Sequence, residues 1–133
     1  MADILVMEDD ILFAELLCNS LEGDKHQTHR FADASSAIAH LQAHVVDLVV
    51  SDITVHKEGL AVPDGGIKLI ATVRKLSRYP AKRIPIIAIS GAHVWPGMEG
   101  ILVTAETLGA DATLKKPFHP DELLQLINEM LHL

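Results

Sequence analysis

Asp47-Leu48-Val49-Val50-Ser51 sets three aliphatic residues between polar ones and runs straight into a second acid, Asp52. The run is short and does not alternate, which fits a strand buried on both faces. Ile4 to Met7, Ile86 to Ser90 and Asp111 to Leu114 share its character. The segments between them carry apolar residues at helical spacing. Phe13, Leu16, Leu17 and Leu21 form one stripe, Ala34, Ala37, Ile38 and Leu41 a second, Ile67, Ile70 and Val73 a third, and Leu123, Ile127, Met130 and Leu131 a last. A further helix is expected from Ile101 to Leu108, with Gly109 as its C-terminal stop. Gln27 to Phe31 reads as a strand only through Thr28, Phe31 and its place between two helices. Five β/α units result, and crossovers of this length predict a parallel α/β sheet of five strands with helices on both faces, the doubly wound class.

Length and composition narrow the function. A chain of 133 residues accommodates one domain, 1–133. Its net charge of −7 and the lack of a basic run speak against direct contact with nucleic acid. Apolar residues make up 49% of the chain and aromatics 4%, so the core is aliphatic and disorder is excluded. No apolar stretch approaches the ~20 residues that cross a bilayer, and no basic segment leads into a hydrophobic one at the N-terminus. A cytoplasmic location without membrane contact is expected. Cys18 is the single cysteine, expected to fill core.

In a doubly wound sheet the chemistry lies beyond the carboxyl ends of the strands. There the sequence places Glu8, Asp9 and Asp10, then Ser51 and Asp52, then Ser90 and Gly91, then Lys115, Lys116 and Pro117. A dinucleotide site would need glycines after the first strand, and carboxylates stand there instead. Glu8, Asp9 and Asp52 in one crevice raise one another's pKa unless a cation neutralises them, and an all-oxygen set suits Mg²⁺. A carboxylate beside such an ion can attack a phosphoryl group, with Lys116 offsetting the repulsion between anions. The Ser90 hydroxyl and the Gly91 N–H would serve phosphoryl oxygens. Asp10 reads as a helix N-cap, and Lys115 as a solvated neighbour.

These motifs together resemble the receiver domain of bacterial two-component response regulators: Glu8-Asp9 after Ile4-Leu5-Val6-Met7, Asp52 after Asp47 to Ser51, Pro63-Asp64-Gly65, Ser90-Gly91 and Lys116-Pro117-Phe118. The resemblance spans nearly the whole chain and implies a flavodoxin-like strand order, 2-1-3-4-5. It implies that Asp52 accepts a phosphoryl group from a histidine kinase or phosphotransfer protein. Mg²⁺ would be held by Asp9, Asp52, the backbone carbonyl of Thr54 and, through water, Glu8. Ser90 and Lys116 would contact the phosphoryl group, the Lys116-Pro117 bond would be cis, and a downstream target protein would read the state. A stand-alone receiver is expected, catalysing only its own phosphorylation and dephosphorylation.

The sequence departs from the family pattern at several points. Asp52 to Asp64 is longer than usual, with the excess in His56 to Val62, which is expected to form a loop overhanging the site. The segment after Ser90 is also long, with Pro96, Gly97 and Gly100 where the fourth helix normally begins. Thr113 stands where the family commonly has Tyr or Phe, so a loop-borne readout is expected in place of an aromatic switch. Thr54 and Ala92 occupy the positions that orient a hydrolytic water in fast members, and neither carries an amide or carboxylate, so autodephosphorylation should be slow. His56, His93 and Trp95 lie in the lengthened loops, either contacting a partner or covering the site. His40 and His44 have the i, i+4 spacing of a two-imidazole face, with no third ligand evident. Two rival readings are a pseudo-receiver that binds proteins independently of phosphorylation and a haloacid-dehalogenase-like hydrolase suggested by Asp52-Ile53-Thr54-Val55. The latter motif lacks its second Asp and falls on the third strand instead of the first.

Overall fold

A computed structural model describes residues 2–53, 55–57, 60–62, 65–76, 83–91 and 101–131. Its central sheet is built from β1 (Asp3–Met7), β2 (Gln27–Phe31), β3 (Leu48–Asp52), β6 (Ile86–Ser90) and β7 (Ala112–Lys115). They lie in the order β2-β1-β3-β6-β7, every pairing parallel, which is the expected 2-1-3-4-5 wiring. The helices are α1 (Ile11–Gly23), α2 (Ala34–Ala43), α3 (Gly66–Leu76), α4 (Ile101–Leu108) and α5 (Pro120–Leu131).

The period-two geometry of a strand divides the core into two layers. Leu5, Met7, Val49, Ile86 and Ala88 pack on one face with Ala34 and Ala37 of α2, Leu69, Ile70 and Val73 of α3, and Ala105 of α4. Ile4, Val6, Leu48, Val50, Ile87 and Ile89 face the other way, against Leu17, Cys18 and Leu21 of α1 and Leu123 and Ile127 of α5. Burial on both faces is what makes β1, β3 and β6 unbroken aliphatic runs. β2 and β7 are the sheet edges, and their residues are only half-buried or exposed.

Two expectations need correction. Leu16 is 51% exposed and not part of the core. The buried stripe of α1 is Ala14, Leu17, Cys18 and Leu21, at i, i+3, i+4, i+7, and Leu16 lies about 150° off its centre. The segment His56 to Val62, expected as an overhanging loop, contains strand structure instead. Val55–Lys57 (β4) and Leu60–Val62 (β5) pair antiparallel, with His56 opposite Ala61.

The helix ends follow capping chemistry. Asp10 caps α1 by accepting the Phe13 N–H at 3.1 Å, and Asp33 caps α2 by accepting that of Ser36 at 2.8 Å. Gly109 closes α4 at φ 127°, with its own N–H on the Glu106 carbonyl and that of Ala110 on the Ala105 carbonyl. The same Schellman pair closes α1, where Lys25 takes φ 69° in the position that favours glycine.

At the amino-terminal end of β6 and β7, Arg74 of α3 donates to the carbonyls of Gly109 and Ile84 and to Asp111 Oδ2 at 2.7 Å. Asp111 also accepts from Arg83 and from the Ile86 N–H at 2.8 Å. One carboxylate therefore fastens α3, β6 and the turn into β7.

Candidate functional site

The opposite, carboxyl end of the sheet gathers the acids. Glu8 follows β1 and is 2% exposed, and Asp52 ends β3 at 4%. Oxygens of Glu8, Asp9 and Asp52 lie within 4.8 Å of one another. Lys116 follows β7 directly, just ahead of a cis Lys116–Pro117 peptide. Its Nζ donates to Glu8 Oε1 at 3.0 Å, lies 2.9 Å from Oε2, and stands 3.5 Å from Asp52 Oδ2. Glu8 Oε1 also accepts the Asp10 N–H at 3.2 Å, while its buried Oε2 finds no properly directed hydrogen bond.

Among the described residues, one ammonium among three carboxyl groups leaves the pocket short of positive charge. Burial, followed by the charges of Glu8 and Asp9, pushes the Asp52 carboxyl up to about 8, with Lys116 pulling the other way. Burial likewise raises Glu8 above the ordinary carboxylate range, against the pull of Lys116. Burial opposes the Lys116 charge too, yet Asp52 and Glu8 outweigh it and hold the ammonium above its usual value. The raised Asp52 and the all-oxygen donor set fit a hard divalent cation.

Ser90, at the end of β6, is fully buried, and its carbonyl accepts the Lys116 N–H at 3.0 Å. A methyl group at Gly91 would sit 3.5 Å from Lys116 Cβ, so this glycine lies directly against the lysine stem. Thr54, Pro63, Asp64, Ala92, His93, Trp95, Pro96, Gly97 and Gly100 lie outside the described residues, and for His56 only the backbone of β4 is described. Thr113, on edge strand β7, donates to Glu106 Oε1 at 3.4 Å.

Three contributors were not legible beforehand. Phe13, read as part of a core stripe, holds its ring 4.8 Å from Lys116 Nζ, a cation–π distance. Phe118 braces it edge-on at 5.5 Å. Gly66 opens α3 beneath Asp52, where a Cβ would collide with the Asp52 carbonyl, 2.6 Å from Ser51 Oγ and 2.7 Å from Ile53 Cα. Phe13 followed the apolar period and Phe118 the family motif, but neither pattern says which residue a ring will touch.

The wiring of the sheet and the acidic pocket at its carboxyl edge define the flavodoxin-like class of α/β signalling domains. Residues 4–128 match the response regulator receiver domain family, and the chain belongs to that family and so to two-component signalling. It is 27% identical over 129 residues to the regulatory protein VanRc of Enterococcus gallinarum, covering 96% of this chain and 49% of that protein. To the transcriptional regulatory protein PhoP of Escherichia coli it is 26% identical, covering 96% and 51%. The chain thus spans about half the length of these relatives. Among solved structures, a CheY-like receiver domain protein of Methanospirillum hungatei superposes with a TM-score of 0.80 at 25% identity, covering 99% of this chain and 94% of that one. NtrX of Brucella abortus superposes with a TM-score of 0.79 at 30% identity, covering 98% and 27%. Receiver domains generally bind Mg²⁺ at an acidic pocket and interact with histidine kinases and effectors, and the Glu8, Asp9 and Asp52 cluster provides such a pocket here. No described helix is long and apolar enough to cross a membrane.

Proposed function

We propose that this domain accepts a phosphoryl group on Asp52 from a phosphohistidine of a kinase or phosphotransfer protein, and that the phosphorylated form changes its contacts with a downstream protein. The observation that carries the reading is Lys116 Nζ bridging Glu8 and Asp52 inside a pocket still too acidic for one ammonium. A carboxylate oxygen of Asp52 forms the new bond to phosphorus, the phosphorus–nitrogen bond breaks, and its electron pair leaves with the imidazole. Asp9, Asp52, the Thr54 carbonyl and, through water, Glu8 would hold Mg²⁺. When bound, that ion offsets the charge of the acids and of the phosphoryl oxygens. Lys116 supplies a second positive charge, and Ser90 and the Gly91 N–H would serve the remaining oxygens. Hydrolysis then frees Asp52 slowly, because neither Thr54 nor Ala92 offers a group that orients water. The acidic chain lacks a basic run for a phosphate backbone, so the output is assigned to a protein contact.

Acetyl phosphate with Mg²⁺ should add one hydroxylamine-sensitive phosphoryl group, seen by intact mass, and Asp52→Asn should abolish it. Labelling elsewhere, or none in the wild type, refutes the assignment and leaves the pseudo-receiver reading. Asp9→Ala should weaken Mg²⁺ binding more than Glu8→Ala, since a direct ligand contributes more than one acting through water.

A further inference from the structure

Where α2 ends beside β2, three imidazoles stack. The His40 ring lies 4.8 Å from that of His29 on β2 and 4.5 Å from that of His44, tilted by 30° and 33°. Phe31 closes another side at 5.2 Å. His44 caps α2, and its N–H reaches the His40 carbonyl at 2.8 Å, so the two rings keep the spacing of one helical turn. The third imidazole, which the sequence spacing did not reveal, comes from the neighbouring strand. His29 Nε2 stands 3.3 Å from Asp3 Oδ1.

Protonated rings at these distances repel, and burial followed by His44 and His29 holds His40 below the ordinary imidazole value. With neutral rings, the enclosed Nε2 of His40 finds no hydrogen-bond partner. A divalent ion that prefers nitrogen ligands relieves both problems, because it binds neutral imidazoles through the lone pairs left unused.

We propose that His29, His40 and His44 form a binding site for a zinc-class divalent transition-metal ion, distinct from the oxygen-lined pocket at the far end of β1. Asp3 serves as the carboxylate that orients one ligand. It accepts the His29 Nε2–H, which leaves Nδ1 of that ring for the ion. The rings are stacked and their nitrogens have not converged, so closure on the ion requires rotation of His44, which is exposed, and of the half-buried His29. Once closed, the site joins the edge strand β2 to the end of α2.

Zn²⁺ is the probe, titrated into the full chain with Mg²⁺ in large excess to occupy the acidic pocket. Imidazole NMR signals of His29, His40 and His44 should move together to a one-to-one endpoint, with a rise in melting temperature. His44→Gln, at an exposed position, should keep the fold by circular dichroism yet weaken Zn²⁺ binding by about tenfold or more, and Asp3→Asn should weaken it as well. The proposal is overturned if Zn²⁺ instead moves signals of Glu8, Asp9, Asp52 or His119. It is equally overturned if His44→Gln and His40→Gln bind Zn²⁺ as tightly as the wild type.

Discussion

Asp52 is the residue through which acidity reaches this fold. Its carboxyl is raised to about 8 from an ordinary 3.8, so between those values the folded chain holds a proton that the unfolded chain has released. Stability then falls as pH rises through that window, since the native state binds more protons than the unfolded one. In a chelator, the melting temperature should decline from pH 5 toward pH 8 by this contribution, and Asp52→Asn should flatten the decline. Mg²⁺ near neutral pH should displace the proton, which calorimetry in buffers of different ionisation enthalpy would register as protons released per ion. A melting temperature that rises steadily over this range in the wild type but not in Asp52→Asn would contradict the sign. The acids and the lysine were legible because each ends a recognisable strand and strand ends converge in this class of sheet. Phe13 was not, because its role depends on a lysine from the far end of the chain.

Among the elements, α1 carries a local compromise. Its terminal Schellman bonds are made around Lys25 at φ 69°, where a side chain costs about 1 kcal/mol relative to glycine. Lys25→Gly should therefore raise stability by up to about 1 kcal/mol in urea titration, with m unchanged. No gain would mean that the lysine stem makes up the loss elsewhere. The central strands were the clearest elements in the sequence because both of their faces are buried. β2 was marginal, since an edge strand needs only partial apolarity, as its half-exposed Thr28 and His29 show. The β4–β5 hairpin was invisible for a different reason: three residues per strand are too few to display a period.

At the scale of the whole molecule, the two ends of the sheet divide the labour. The amino-terminal end is fastened by Asp111 and its two arginines, remote from the acids. Asp111→Ala removes the charged partner of Arg74 and leaves the Ile86 N–H without its acceptor, and should cost about 1 to 3 kcal/mol, toward the lower part because the carboxylate is partly solvated. Mg²⁺ affinity in that variant should match the wild type, and a parallel loss of affinity would show that the two ends are coupled. The carboxyl end is assembled unevenly. Its acids follow β1 and end β3, neighbours in the middle of the sheet, while Lys116 follows edge strand β7 and reaches Glu8 across 108 residues of chain. An edge strand frays at lower free energy than a central one, so a cation held as proposed would grip the most protected part of the fold while the ammonium rides on one of the least. Amide exchange followed by mass spectrometry should accordingly slow more in β1 and β3 than in β7 when Mg²⁺ is added. With such an ion bound, the pocket would work as a clutch, its metal half staying engaged while its lysine half slips with the breathing of the last strand.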